Sequence, residues 1–148
     1  MIKNRIPTLA ILLTLVLFFF QHFSTQAPAP KGLDAPQNEF SAVRAHNILK
    51  NLLKENQPHP VGSDLNRIIK ERLKVELDKL GIEHQEQKAW ACASRFSSCA
   101  EVENLIGIIP GKTDLPYLAL MAHYDSVPMA PGAGDDGAGV VAILEAAR

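Results

Sequence analysis

Met121-Ala122-His123-Tyr124-Asp125-Ser126 and, after four intervening residues, Pro131-Gly132-Ala133-Gly134-Asp135-Asp136-Gly137-Ala138-Gly139 decide how this chain is read. An apolar run ends in a histidine and a carboxylate two positions apart, a Gly-rich loop follows with adjacent aspartates, and an apolar helix start comes next. In α/β folds, ligands sit where strands run out at their carboxyl ends. An imidazole at His123 can bind a metal through one nitrogen while Asp125 holds the tautomer through the other. Asp135 or Asp136 can add a second carboxylate ligand, and glycines such as Gly134 and Gly137 admit the strained turn that aims it. Two rival readings are weaker. Gly132, Gly134 and Gly137 satisfy the dinucleotide-binding GxGxxG pattern, but its variable positions would set Asp135 and Asp136 against a pyrophosphate. A satisfied strand-end histidine beside a solvated Asp-Asp-Gly turn explains the residues singly but not their combination.

Upstream, Ser41 is a candidate N-cap, and Ala45, Ile48, Leu49, Leu52 and Leu53 follow at helical spacing until Gln57-Pro58. After Pro58-His59-Pro60-Val61-Gly62, Ser63 or Asp64 caps a second helix with Leu65, Ile68, Ile69, Leu73, Leu77 and Leu80 inward and Gly81 as its stop. Residues 82–91 form a weak strand candidate, 102–109 a better one ended by Pro110-Gly111, and 117–122 a short run suited to a buried strand. Residues 140–148 read as helix interior with no C-cap. Helices, then strands, then a new helix describe the first part of an α/β layered domain expected to continue past residue 148. Cys92 and Cys99 enclose six residues, a span that a disulfide can close in an oxidising compartment.

The N-terminus differs in composition. Two basic residues precede an uncharged stretch over 6–30, with its apolar heart at 6–20, long enough with Gln21, His22 and Phe23 to cross a hydrocarbon layer of roughly 30 Å. It reads as a signal anchor or signal peptide over 1–25. Pro28 directly after Ala27 disfavours cleavage, and the leading positive charges place the later residues on the extracytoplasmic side. Residues 26–39, with Pro28, Pro30 and Pro36, read as a tether, and 40–148 as the folded part. Across the chain, 15 Lys+Arg oppose 16 Asp+Glu, a balance that argues against nucleic acid as a partner.

The 123–139 block closely resembles metallopeptidase family 28, the co-catalytic zinc exopeptidases, among them bacterial aminopeptidases and membrane-anchored endoplasmic-reticulum and vacuolar metallopeptidases. Asn104-Leu105-Ile106 with Pro110-Gly111, and Pro58-His59-Pro60-Val61-Gly62-Ser63, extend the resemblance. It implies a three-layer α/β/α fold with a mixed central sheet, and two zinc ions in a complete site. By position, His123 resembles a ligand of one zinc, Asp135 the carboxylate bridging both, and Asp125 the residue that orients His123. Asp136 follows the bridging residue, where family members often have a cis peptide. The family's Glu general base and remaining ligands fall beyond residue 148. Glu145 reads as helix surface, His59 as a packing or hydrogen-bonding residue, and His46, His84 and His22 carry no functional pattern.

The expectation is an extracytoplasmic, membrane-anchored zinc aminopeptidase acting on peptide substrates with free N-termini, in the periplasm or the lumen of a secretory compartment. These 148 residues alone are expected to be inactive and to bind zinc weakly. The alternatives are a glutaminyl cyclase-like transferase on the same fold and a non-catalytic interaction domain built on it.

Overall fold

The structure, a computed structural model, describes residues 5–93, 98–113 and 116–148. In chain order the elements are α1 (Arg5–Ser24), α2 (Ala42–Leu52), α3 (Asp64–Lys79), β1 (Glu83–Ala93), β2 (Ser98–Ile108) and α4 (Ala138–Ala147). They fall into two compact units, Met1–Pro30 and Lys31–Arg148.

The first unit is essentially α1. Its 20 residues give a length of about 30 Å. The stretch Pro7–Ser24 has a mean hydropathy of 1.7, long and apolar enough to cross a membrane by length and composition. None of it is buried, and Leu9, Leu13, Leu17 and Phe20 stand exposed on it. A helix apolar on all sides has no single face to give to a core.

The second unit begins earlier than composition indicates. Residues 31–39, expected to belong to a tether, are held against the domain by backbone capture. Ser41 Oγ lies 3.1 and 2.7 Å from the carbonyl oxygens of Lys31 and Gly32. The Arg44 guanidinium donates to the carbonyls of Ala35 (2.7 Å) and Glu39 (2.6 Å). A Pro-rich segment with no apolar face can still be ordered when one arginine satisfies its carbonyls.

Ser41 also caps α2 by accepting the Arg44 N–H, and Ser63 caps α3 by accepting the Asn66 N–H. The core forms where Ala45, Ile48 and Leu52 of α2 meet Ile69 and Leu73 of α3 and Val141 and Leu144 of α4. Leu49, Leu53, Leu65, Leu77, Leu80, Leu105 and Tyr124 pack around it. Ile68 departs from the expected inward face and is 46% exposed. Gly81, at φ +67°, ends α3 and redirects the chain into Ile82.

Strands β1 and β2 pair antiparallel from Glu83 opposite Ile108 to Ala93 opposite Ser98. The hairpin runs further than the periodicity of either strand indicates. Cys92 stands opposite Cys99 and the two are disulfide-bonded. The charged residues that weaken the strand signal in β1 are themselves paired: Lys70 of α3, almost wholly buried, reaches Glu86 (2.7 Å) and Glu103, and Lys74 reaches Glu86 (2.9 Å). Burial pulls the Lys70 pKa down, but the hydrogen bonds Lys70 donates to Glu103 and Glu86 outweigh it and the net is a raised value. The α/β class holds, with helices layered on a sheet; among the described residues that sheet is two antiparallel strands.

Two further expectations are corrected. Residues 117–122 are not a buried strand: Tyr117, Leu118 and Met121 are 94%, 86% and 88% exposed, and no described strand pairs with them. An apolar run becomes a strand only when a neighbouring backbone accepts and donates its hydrogen bonds. Glu145 is not helix surface but is 3% exposed. Its carboxylate accepts the Ser41 N–H (3.0 Å) and the Arg44 Nε–H (2.8 Å). Burial raises its pKa, and the bonds from Arg44, Ser41 and Arg148 reverse that to a net lowering. Helical periodicity marks position 145 as polar but cannot show that a half-buried arginine awaits it.

Candidate metal centre

Three ties hold the segment 123–126. The Tyr124 hydroxyl donates to the Glu103 carbonyl of β2 at 2.7 Å. Ser126 N–H donates to the His59 carbonyl at 3.2 Å, and His59 N–H returns a bond to Ser126 Oγ at 2.7 Å. Downstream, the loop closes at its base, where the Gly137 N–H donates to the Gly132 carbonyl at 2.9 Å. Within that closed turn Asp135 and Asp136 depart from helical conformation, at φ −138° and −129°, and the peptide bond joining them is cis.

These constraints bring His123 and Asp135 together. His123 Nε2 lies 3.1 Å from Asp135 Oδ1. On its other side, His123 Nδ1 lies 3.2 Å from the Asp125 carbonyl oxygen and 3.3 Å from Asp125 Oδ1. A carbonyl only accepts, so Nδ1 carries a proton. A neutral imidazole then turns its Nε2 lone pair toward a carboxylate oxygen, two acceptors face to face, and something positive must lie between them. It is either a second proton on the ring or a cation. Burial, the largest influence on His123, lowers its pKa, but the Asp125 carbonyl, the Asp135 carboxylate and the charges of both aspartates outweigh it, and the net is raised.

The donor set fits zinc. Two ligand atoms each about 2.0–2.1 Å from one tetrahedral ion stand about 3.3 Å apart, close to the separation of Nε2 and Oδ1. His123 and Asp135 keep half and nine-tenths of their side-chain surface in solvent, so the pair opens outward. Among the described residues no Lys or Arg forms an ion pair with Asp125 or Asp135, and no group of three or more His, Cys, Asp or Glu converges as a metal cage. Several other side chains with ligand chemistry are engaged elsewhere. Cys92 and Cys99 are spent on their disulfide, Glu145 on Arg44, and His84 on Asp78 at 3.0 Å.

The glycines divide the work unequally. Gly132, at φ +68°, has the left-handed conformation the turn requires, and a Cβ there would meet Ser126 Cβ at 2.9 Å. Gly137 is needed for closeness, since a Cβ would stand 2.9 Å from Leu49 Cδ1 of α2. Gly134, expected to serve the turn, has open space around it and no positive φ. Asp136 accepts the Gly139 N–H at 3.2 Å in the first turn of α4. Gly139 makes room for it, since a Cβ there would fall 2.2 Å from Asp136 Oδ1. Sequence reading passed over Gly139, Tyr124 and Ser126. Asp136 three residues before Gly139 at a helix start is a capping pattern that could have exposed the first of these; the tertiary ties of the other two leave no local mark.

Residues 104–148 match the model of peptidase family M28. The chain is similar to a vacuolar membrane protease of Coprinopsis cinerea, 31% identical over 164 residues, covering 96% of this chain and 16% of that protein. It is similar also to aminopeptidase YwaD of Bacillus subtilis, 48% identical over 50 residues, 31% of this chain and 10% of that one. Among solved structures it matches the glutaminyl cyclase of Porphyromonas gingivalis with a TM-score of 0.62 and 28% identity, over 77% of this chain and 40% of that one. The chain thus spans well under a quarter of the length of the protease and the aminopeptidase.

Proposed function

Because the chain belongs to peptidase family M28, we propose that it forms part of a zinc-dependent aminopeptidase anchored to a membrane by α1. The observation that carries this reading is the opposed pair His123 Nε2 and Asp135 Oδ1, 3.1 Å apart with Nδ1 already committed to Asp125. His123 would hold one zinc, Asp135 would bridge two, and Asp125 would keep His123 in the tautomer that leaves Nε2 free for metal. Zinc bound there supplies Lewis acidity and an activated water at neutral pH. The chain's own part is to fix the imidazole, to aim Asp135, and to keep Asp136 out of the ligand set by tying it to α4. The remaining ligands and the general base lie outside the 148 residues in this reading. An extracytoplasmic location for residues 31–148 is supported by the Cys92–Cys99 disulfide, a bond favoured outside reducing compartments.

The test uses the full chain purified from membranes. Metal analysis should find zinc that chelation removes, together with hydrolysis of an amino-acid arylamide that zinc restores. A protein that binds no zinc, or that hydrolyses no free N-terminus when loaded, overturns the reading. The fold likeness to a glutaminyl cyclase supports a second reading on the same metal site. Release of ammonia from a peptide with N-terminal glutamine, without arylamide hydrolysis, would favour that one.

A further inference from the structure

His59 belongs to no ligand set, yet it is 2% exposed and sits at the base of the metal turn. Its neighbours Pro58 and Pro60 have no N–H groups, and a residue before proline is held extended, so its own N–H and C=O present one rigid pairing edge. Ser126 occupies that edge, giving its N–H to the His59 carbonyl and taking the His59 N–H on its hydroxyl. The His59 ring is oriented in turn, with Nδ1 donating to the Gln57 carbonyl at 3.1 Å. That orientation sets Cε1 3.5 Å from where a Cβ of Gly132 would stand, and Gly132 is the residue whose carbonyl closes the turn on Gly137. One histidine therefore neighbours both stretches that carry the facing pair: its main chain fixes 126, three residues after His123, and its ring lies beside 132, three before Asp135.

We infer that His59 is a positioning residue for the metal centre, setting the His123–Asp135 separation through Ser126 and Gly132 without touching the ion. This rests on the zinc reading above. The test compares the full chain with His59→Leu, which keeps volume but loses the ring donor, and His59→Asn, which keeps a donor for the Gln57 carbonyl. Cobalt replaces zinc so that the visible spectrum reports ligand geometry, and melting temperature is followed separately in the metal-free proteins. His59→Leu should weaken metal binding by roughly 10–100-fold, the range typical of groups that orient ligands, and shift the cobalt bands. His59→Asn should recover part of both. Cobalt binding and spectra equal to wild type in both variants, even with lowered melting temperatures, would reduce His59 to packing and overturn the inference. If His59→Leu fails to fold, Ser126→Ala removes only the hydroxyl that receives the His59 N–H; weakened cobalt binding supports the inference and unchanged binding overturns it. A wild-type chain that takes up neither zinc nor cobalt overturns the metal reading and this inference with it. A metal-binding wild type matched by every variant overturns this inference alone.

Discussion

Two polar clusters on this domain are both built around a pair of carboxylates and come out differently. Between α3 and the hairpin, Glu86 and Glu103 are met by Lys70, Lys74 and Lys88, so the chain supplies the cations its carboxylates need. In the candidate metal turn, Asp125 and Asp135 face one imidazole and, among the described residues, no Lys or Arg forms an ion pair with them. The first cluster is closed, and its energy goes into joining helix to sheet. The second leaves negative charge and a lone pair directed at one point, an arrangement that favours a proton on the ring or a bound cation. A structural ion cluster and the proposed metal site differ in whether the protein neutralises its own carboxylates.

That contrast can be broken in four ways, each in the full chain. The largest effect is expected at Asp135→Asn, which should reduce zinc affinity and turnover by more than the roughly 10–100-fold anticipated for Asp125→Asn, since one loses a ligand and the other an orienting group. Melting temperature of the metal-free protein should barely change or should rise, because the turn loses unpaired charge. Lys70→Met should do the reverse: removing the one buried cation of this partly exposed cluster should lower the melting temperature, while the zinc affinity of folded protein stays unchanged.

Acid should separate the clusters next. Glu86, through its bonds to Lys70 and Lys74, titrates at about 2 instead of 4.5. A carboxylate with a depressed folded pKa stabilises above its unfolded pKa and loses that contribution as pH falls toward the folded value. Metal-free melting temperature should therefore hold above pH 4.5 and decline between 4.5 and about 2, and Glu86→Gln should flatten that decline. The smallest effect belongs to Gly134→Ala, expected within about 0.5 kcal/mol of wild type because nothing there requires glycine. Gly132→Ala, by contrast, should lower both melting temperature and zinc affinity, through its positive φ and its contact with Ser126.

Much of the candidate site was legible in the sequence because its chemistry is local. His123 and Asp125 sit two residues apart, and Asp135 and Asp136 are adjacent within a glycine loop, so spacing alone announces a carboxylate–imidazole site. Capped helices were equally legible: Ser41, Ser63 and Gly81 punctuate α2 and α3 where the structure places their ends. The hairpin was underestimated because Glu86, Lys88 and Glu103 look like solvent-facing residues until α3 brings its lysines. Residues 117–122 were overestimated because hydrophobicity signals an apolar run but not the partner strand that would make it one.

The sequence by itself determined the apolar N-terminal helix, the amphipathic faces of α2 and α3 and the residue types at the candidate metal turn, all of which follow from periodicity and spacing along one stretch of chain. Tertiary structure alone decided that Glu145 is buried on Arg44 and Ser41, that residues 31–39 are captured, that His59 underlies the turn, and which glycines matter. The burial of Glu145 and the place of His59 depend on groups brought together from positions 101 to 104 residues apart at Glu145 and 67 apart at His59 and Ser126, whereas residues 31–39 are captured from 5 to 10 residues away. Over the longer separations, only the packing of the helices fixes which donor meets which acceptor.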